Sequence, residues 1–242
     1  LKRVSDARIA PDGSKIVFVV DEASKEGEHE QSALWIVDAD ATSANTARQF
    51  SSGIANDRSP RWSPDGRRIA FLSDREERGK SSVYVMNADG GEGIRVFDQQ
   101  GSMSGLKWSP NGKTLSVLFT HPETEEEKKR IEEKDDAVVW DHDQKYQRLW
   151  LIDPDARTAS AVSPESKQVR DYGWSQDSTQ LAICTTPNAR MDDLFLENEL
   201  SIVSRDGGEP QTILTRIGPM VDLVWSKDDK HIAFRSSGGQ VV

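Results

Sequence analysis

"SPRWSPDGRRIAFLSD", residues 59–74, sets a tryptophan, a Ser-Pro-Asp-Gly turn and an apolar run side by side. Proline presets φ, the aspartate side chain bonds nearby backbone, and glycine accepts a positive φ, so the centre of the stretch is a hairpin turn. The runs on either side, Arg61 to Ser63 and Ile69 to Ser73, carry the β-branched and aromatic residues of short strands.

The same phrase returns as "ARIAPDGSKIVFVV" from Ala7, "LKWSPNGKTLSVLF" from Leu106, "YGWSQDSTQLAICT" from Tyr172 and "LVWSKDDKHIAFRS" from Leu223. Between Ile9, Trp62, Trp108, Trp174 and Trp225 the steps are 53, 46, 66 and 51 residues, the period of propeller blades once insertions are allowed. Downstream of each of the first four copies lies a third strand, "ALWIVDAD", "SVYVMNADGGE", "RLWLIDPDART" and "ELSIVSRDGGEP". A short fourth follows it: "ARQFS", "IRVFD", "ASAVS" and "QTILT". Four strands per unit is the propeller blade. The expected fold is therefore an all-β β-propeller of four-stranded antiparallel blades, incomplete in this chain, with four blades and the first hairpin of a fifth across residues 1–242. Trp62, Trp108, Trp174 and Trp225 are expected at equivalent, largely buried positions. The fourth and fifth copies replace Pro-Asp-Gly by "SQDS" and "SKDD", and their exact blade geometry does not follow from the repeat.

With 31 Lys and Arg against 41 Asp and Glu the net charge is −10, which argues against nucleic acid, whose phosphates require clustered cations. No apolar run reaches the roughly 18 residues of a membrane span, and the opening "LKRVSDARIAPDG" lacks a signal-peptide core. Cys184, the single cysteine, reads as a small core residue within "LAICT" and points to a cytoplasmic setting.

The Trp-Ser-Pro-Asp-Gly repeat resembles that of the prolyl oligopeptidase family of serine peptidases and of the periplasmic propeller of the Tol system. The opening "LKRVSDARIAPDGSKIVFVV" and "DDAVVWDHDQKYQRLWLID", from Asp135 to Asp153, look like the acylaminoacyl-peptidase-like branch of the peptidases. That resemblance implies a non-catalytic propeller that restricts peptide access to an α/β-hydrolase domain, which this chain does not contain. The implied partners are then a peptide substrate and that domain. The Tol resemblance implies instead a periplasmic propeller that binds proteins. An active site within the propeller itself finds no support, because no carboxylate or histidine constellation recurs at one blade position.

A hydrolase nucleophile elbow, G-x-S-x-G, is absent; the nearest string, "GSMSG" at 101–105, has Met103 at its centre. His29, His121, His142 and His231 form no serine–histidine pairing, "HEQSA" at 29–33 lacks the second histidine of a zinc motif, and no Cys/His cluster exists. Asp38/Asp40 and Asp153/Asp155 end third strands and read as turn chemistry rather than calcium ligation. Neither a cofactor nor a metal is expected, and catalytic residues are none.

The feature the repeat does not require is the charged insertion at about 121–147, "THPETEEEKKRIEEKDDAVVWDHDQKY", which interrupts a blade hairpin. Glu125 with Lys129 and Glu126 with Arg130 have the spacing of a short exposed helix. Beside the reading of the excursion as a solvated helix stands a functional one, in which Glu132, Glu133, Asp135 or Asp136 are candidate substrate-access residues that attract a peptide's positive amino terminus, with Trp140 and Tyr146 equally readable as packing anchors. The edge of the fifth hairpin is expected to stay open, to pair with a second copy of the chain, or to be capped by "GGQVV".

Overall fold

The computed structural model describes residues 2–22, 31–40, 47–132, 145–190 and 192–237. Four antiparallel sheets of four strands follow one another along the chain, each in sequential order. The first holds β1 (Lys2–Ile9), β2 (Lys15–Glu22), β3 (Gln31–Asp38) and β4 (Arg48–Gln49). The second holds β5 (Arg58–Trp62), β6 (Arg68–Glu77), β7 (Lys80–Asn87) and β8 (Ile94–Arg95). The third holds β9 (Ser102–Trp108), β10 (Leu115–Thr120), β11 (Arg148–Asp153) and β12 (Thr158–Ala161). The fourth holds β13 (Gln168–Trp174), β14 (Gln180–Thr186), β15 (Glu197–Ser204) and β16 (Gln211–Ile217), and a two-stranded sheet, β17 (Val221–Trp225) with β18 (Ile232–Arg235), follows it. These are the blades read from the repeat, with its four third strands and four short fourth strands in place; residues 238–242 lie outside the described residues.

The turn that defines the repeat is built alike in the last four copies. Ser63 Oγ donates to Asp65 and accepts from Arg68 N, while Asp65 also accepts from Arg67 N. Ser109 with Asn111, Ser175 with Asp177 and Ser226 with Asp228 repeat the arrangement. The left-handed residue is Gly66 (φ 70°) or Gly112 (φ 70°) where glycine is present. In the copies lacking it, Ser178 (φ 62°) and Asp229 (φ 55°) take the same conformation. The turn geometry therefore survives the loss of Pro-Asp-Gly, because the serine–aspartate bonds fix it and hold a non-glycine residue in a region that costs it roughly 1 kcal/mol.

Two compact units divide the chain, Leu1–Val117 with Leu151–Ser160, and Leu118–Trp150 with Ala161–Val242. In the first, Val17, Val19, Leu34 and Ile36 of blade one meet Ile69, Phe71, Tyr84 and Met86 of blade two. In the second, Ala182, Cys184 and Leu200 of blade four meet Leu223 and Trp225 of the hairpin. Full burial of such aliphatic and aromatic groups contributes about 1.5–3 kcal/mol each. Cys184 is a core residue, as expected, and burial pushes its thiol up to about 12.

Trp62, Trp108, Trp174 and Trp225 each end the first strand of their sheet, the position Ile9 holds in blade one. Three indoles bind the preceding first strand: Trp62 Nε1 donates to Arg8 O, Trp108 Nε1 to Arg61 O and Trp225 Nε1 to Gly173 O, each at 3.0 Å. Trp108, Trp174 and Trp225 are buried, whereas Trp62 is only partly so, packing at the margin of its cluster.

A second repeated device sits three residues before those ring positions. Pairing in β1, β5 and β17 shifts register at a bulge, and Asp6 (φ 44°), Ser59 (φ 56°) and Asp222 (φ 58°) lie there in left-handed backbone. Gly105 (φ 65°) holds the same place in β9. Bulges of this kind re-aim side chains.

Candidate functional site

The insertion leaves between β10 and β11, at the end of the strands where second and third strands of a blade connect. Helix α1 (Glu125–Glu132) forms as the charge spacing predicts. Its start is a capping box that the sequence reading did not single out, T-E-E-E from Thr124. Thr124 Oγ1 accepts from Glu127 N at 3.3 Å, and the Glu127 carboxylate accepts in return from Thr124 N. Glu125, Glu126 and Glu127 fill the first turn, where the positive end of the helix dipole stabilises them.

Lys145 closes the base of the excursion. Its ammonium donates to the carbonyl of Pro122 at 2.6 Å and to the Glu127 carboxylate, joining residues 23 and 18 positions apart. Beside this tie, Phe119, His121 and Trp150 make a cluster of perpendicular rings, with centroids 4.8 Å apart for Phe119–His121, 5.9 Å for Phe119–Trp150 and 6.2 Å for His121–Trp150. Tyr146 is half-buried and Trp140 lies outside the described residues. Phe119, His121 and Trp150 therefore anchor the excursion; Phe119 and Trp150 went unread in this role because they belong to β10 and β11 rather than to the insertion's own pattern.

The Lys145 ammonium and the Thr124 backbone hold the Glu127 carboxyl down at about 2. A lowered folded-state pKa contributes stability above the ordinary glutamate range, and the contribution fades as pH falls from about 4.5 through about 2. The expected result is a reversible loss of the helix-to-Lys145 tie in that window and not above it. A carboxyl titration followed by NMR checks this; a Glu127 midpoint near 4.5 contradicts it.

Of the candidate access residues, Glu132 is the last residue of α1. Glu133, Asp135 and Asp136 lie outside the described residues. The acidic pair Asp153/Asp155 behaves as expected of a turn: Asp153 accepts from Asp155 N and Ala156 N at 2.9 and 2.8 Å. Among the described residues no group of three His, Cys, Asp or Glu side chains is placed to hold a metal ion, and no helix is long and apolar enough to cross a membrane.

In unit one a cleft of about 570 Å³ runs along Phe50, Ile54, Arg75, Glu76, Met86 and Gly93. The charges of Arg75 and Glu76 are matched within blade two and its approach. Arg75 reaches the fully buried Asp57 at 3.1 Å and lies over the Phe71 and Tyr84 rings. Glu76 accepts from Tyr84 Oη at 3.1 Å and pairs with Arg95. Burial, reinforced by Glu76, raises the Tyr84 phenol to about 12.

Comparison with known proteins agrees with the repeat. The chain is 34% identical over 122 residues to the uncharacterized peptidase YuxL of Bacillus subtilis, a match covering 50% of this chain and 18% of that protein. It is 33% identical over 87 residues to the Tol-Pal system protein TolB of Alcanivorax borkumensis, covering 36% of this chain and 19% of that one. The chain thus spans about a fifth of these relatives. A puromycin-hydrolyzing peptidase of Mycobacterium tuberculosis superposes over 99% of this chain and 36% of its own, with TM-score 0.66 and 14% identity, which shows the fold. The family model described as the TolB beta propeller domain, PD40, matches residues 4–139, and with its repeat, its blades and its turns accounted for, the chain belongs to that propeller family.

Proposed function

We propose that this chain is the non-catalytic propeller of a serine peptidase of acylaminoacyl-peptidase or dipeptidyl/oligopeptidase type, gating peptide access to an α/β-hydrolase domain carried elsewhere in the same protein and so taking part in proteolysis. The observation that carries the reading is the 122-residue likeness to a peptidase of which it matches 18%, leaving most of that protein outside the match. A propeller supplies a rigid frame from which connections project, and the insertion at 121–147, tied at its base by Lys145, is a segment the repeat does not demand. The chemistry on the page agrees, since an acyl-transfer site needs a nucleophile, a base and oxyanion donors in one place, and the sequence carries no G-x-S-x-G. Glu132, Glu133, Asp135 and Asp136 would act on substrate entry, and the setting would be cytoplasmic.

Removing residues 122–145 from the complete protein tests the gate. The blades should still fold, because β10 and β11 keep their own partners, and turnover of long peptides should rise relative to short ones. An unchanged ratio in a folded variant contradicts the gating role. A second reading, a periplasmic propeller that recruits proteins, is favoured by the likeness to TolB; a complete protein with no hydrolase domain would establish it.

A further inference from the structure

In unit one the residue just before the ring position is basic in all three first strands: Arg8 in β1, Arg61 in β5 and Lys107 in β9. The corresponding residues of β13 and β17 are Gly173 and Val224. Adjacent first strands are in contact, β1 with β5 and β5 with β9, so the three cations step across neighbouring strands. Such a row stands out in a chain of net charge −10.

The bulge sets a carboxylate among them. Asp6, held at φ 44°, receives Arg8 Nη2 on Oδ1 at 2.7 Å and Arg61 Nη1 on Oδ2 at 2.9 Å. Arg61 Nη1 also donates to Pro60 O at 2.7 Å. One carboxylate thus bridges two guanidiniums, leaving N–H donors on both and a net positive charge. The side chains remain accessible, 49% for Arg8, 25% for Arg61 and 23% for Asp6.

We propose that Arg8 and Arg61 bind a carboxylate of a peptide at this first-strand surface. Asp6 is the internal counterpart of that ligand: it shows that the spacing of the two forks fits a planar, two-oxygen anion, which guanidinium recognises by paired hydrogen bonds. The acidic balance of the whole chain disfavours an extended polyanion, so the ligand is a local anion. That the carboxylate belongs to a peptide rests on the proposed access role. Asp6 then competes with the ligand for the same donors and sets its affinity.

Fluorescence anisotropy with the purified 242-residue chain tests this, using a labelled alanine-rich peptide carrying two glutamates and a free C-terminus. Amidating the C-terminus and replacing Glu by Gln, separately and together, identifies which carboxylate is held. Arg61→Gln is expected to weaken binding about tenfold, the loss of one charge-assisted pair, and Asp6→Asn to tighten it about threefold by removing the competitor. Equal affinity for the glutamate peptide and its amidated glutamine control overturns the proposal, as does an Asp6→Asn chain that folds and binds no tighter. Should Asp6→Asn lose its unfolding transition, competition on the unaltered chain decides. Acetate must displace the peptide better than chloride at the same ionic strength, and equal displacement refutes the site. None of these results depends on a hydrolase domain, so failure here leaves the access role standing.

Discussion

Trp108→Ala is expected to lower the stability of unit one by about 3–5 kcal/mol, the cost of emptying a buried aromatic site. With roughly 2–4 °C per kcal/mol for a chain of this length, the unfolding midpoint should fall by about 6–20 °C. The indole is buried, its Nε1 binds Arg61 O at 3.0 Å, and the Arg68 guanidinium lies 4.9 Å from its ring centroid. Arg68 itself reaches Gly112 O at 3.1 Å and Asp155 at 2.9 Å. Truncation therefore removes a staple between first strands and the surface on which Arg68 rests. Trp108→Phe keeps part of the ring surface while losing the hydrogen bond and some buried volume, so a smaller loss, about 1–2 kcal/mol, is expected. Thermal unfolding of the two variants checks the order; equal losses would mean that the retained phenyl surface contributes nothing and would contradict the packing account.

Gly173→Ala should cost about 2–3 kcal/mol in unit two for the opposite reason, too much matter instead of too little. A Cβ built on Gly173 would stand 2.4 Å from the carbonyl oxygen of Leu223, and a backbone atom cannot swing away as a flexible side chain does. The strand β17 must retreat from β13, and that breaks the Trp225 Nε1 bond to Gly173 O and the Leu223 N bond to Asp171. The measurement is the unfolding midpoint together with exchange of the Trp225 indole proton. Unchanged protection of that proton would show that the two strands yield without parting.

The blades were legible because their signals are local. Each turn carries its own hydrogen-bond acceptor, an aspartate or asparagine at the third position, and the strand on each side follows within a few residues, so five copies align without tertiary information. Where the glycine is missing, Ser178 and Asp229 keep the turn, and the sequence alone does not show that the Ser175 and Ser226 hydroxyls hold it. The half-exposed Trp62 differs from its counterparts because burial depends on the neighbouring blade rather than on the strand that bears it. The excursion's helix was readable from Glu125–Lys129 spacing, but the tie from Lys145 to Pro122 and Glu127 spans a segment whose internal pattern says nothing of where its ends meet. The Arg8–Asp6–Arg61 cluster escaped for a related reason. A bulge breaks the period of two that assigns side chains to faces, so alternation along β1 does not place Asp6 beside a residue of β5.

The central claim is that the chain serves a peptidase without being one. Its most direct test is turnover of acyl-amino-acid and peptide anilides by the purified 242-residue chain, measured beside the complete protein with and without a serine-directed inhibitor. The account predicts no turnover by the chain and inhibitor-sensitive turnover by the complete protein. Inhibitor-sensitive hydrolysis by the chain itself, or a complete protein that cleaves nothing and has no hydrolase domain, would contradict it.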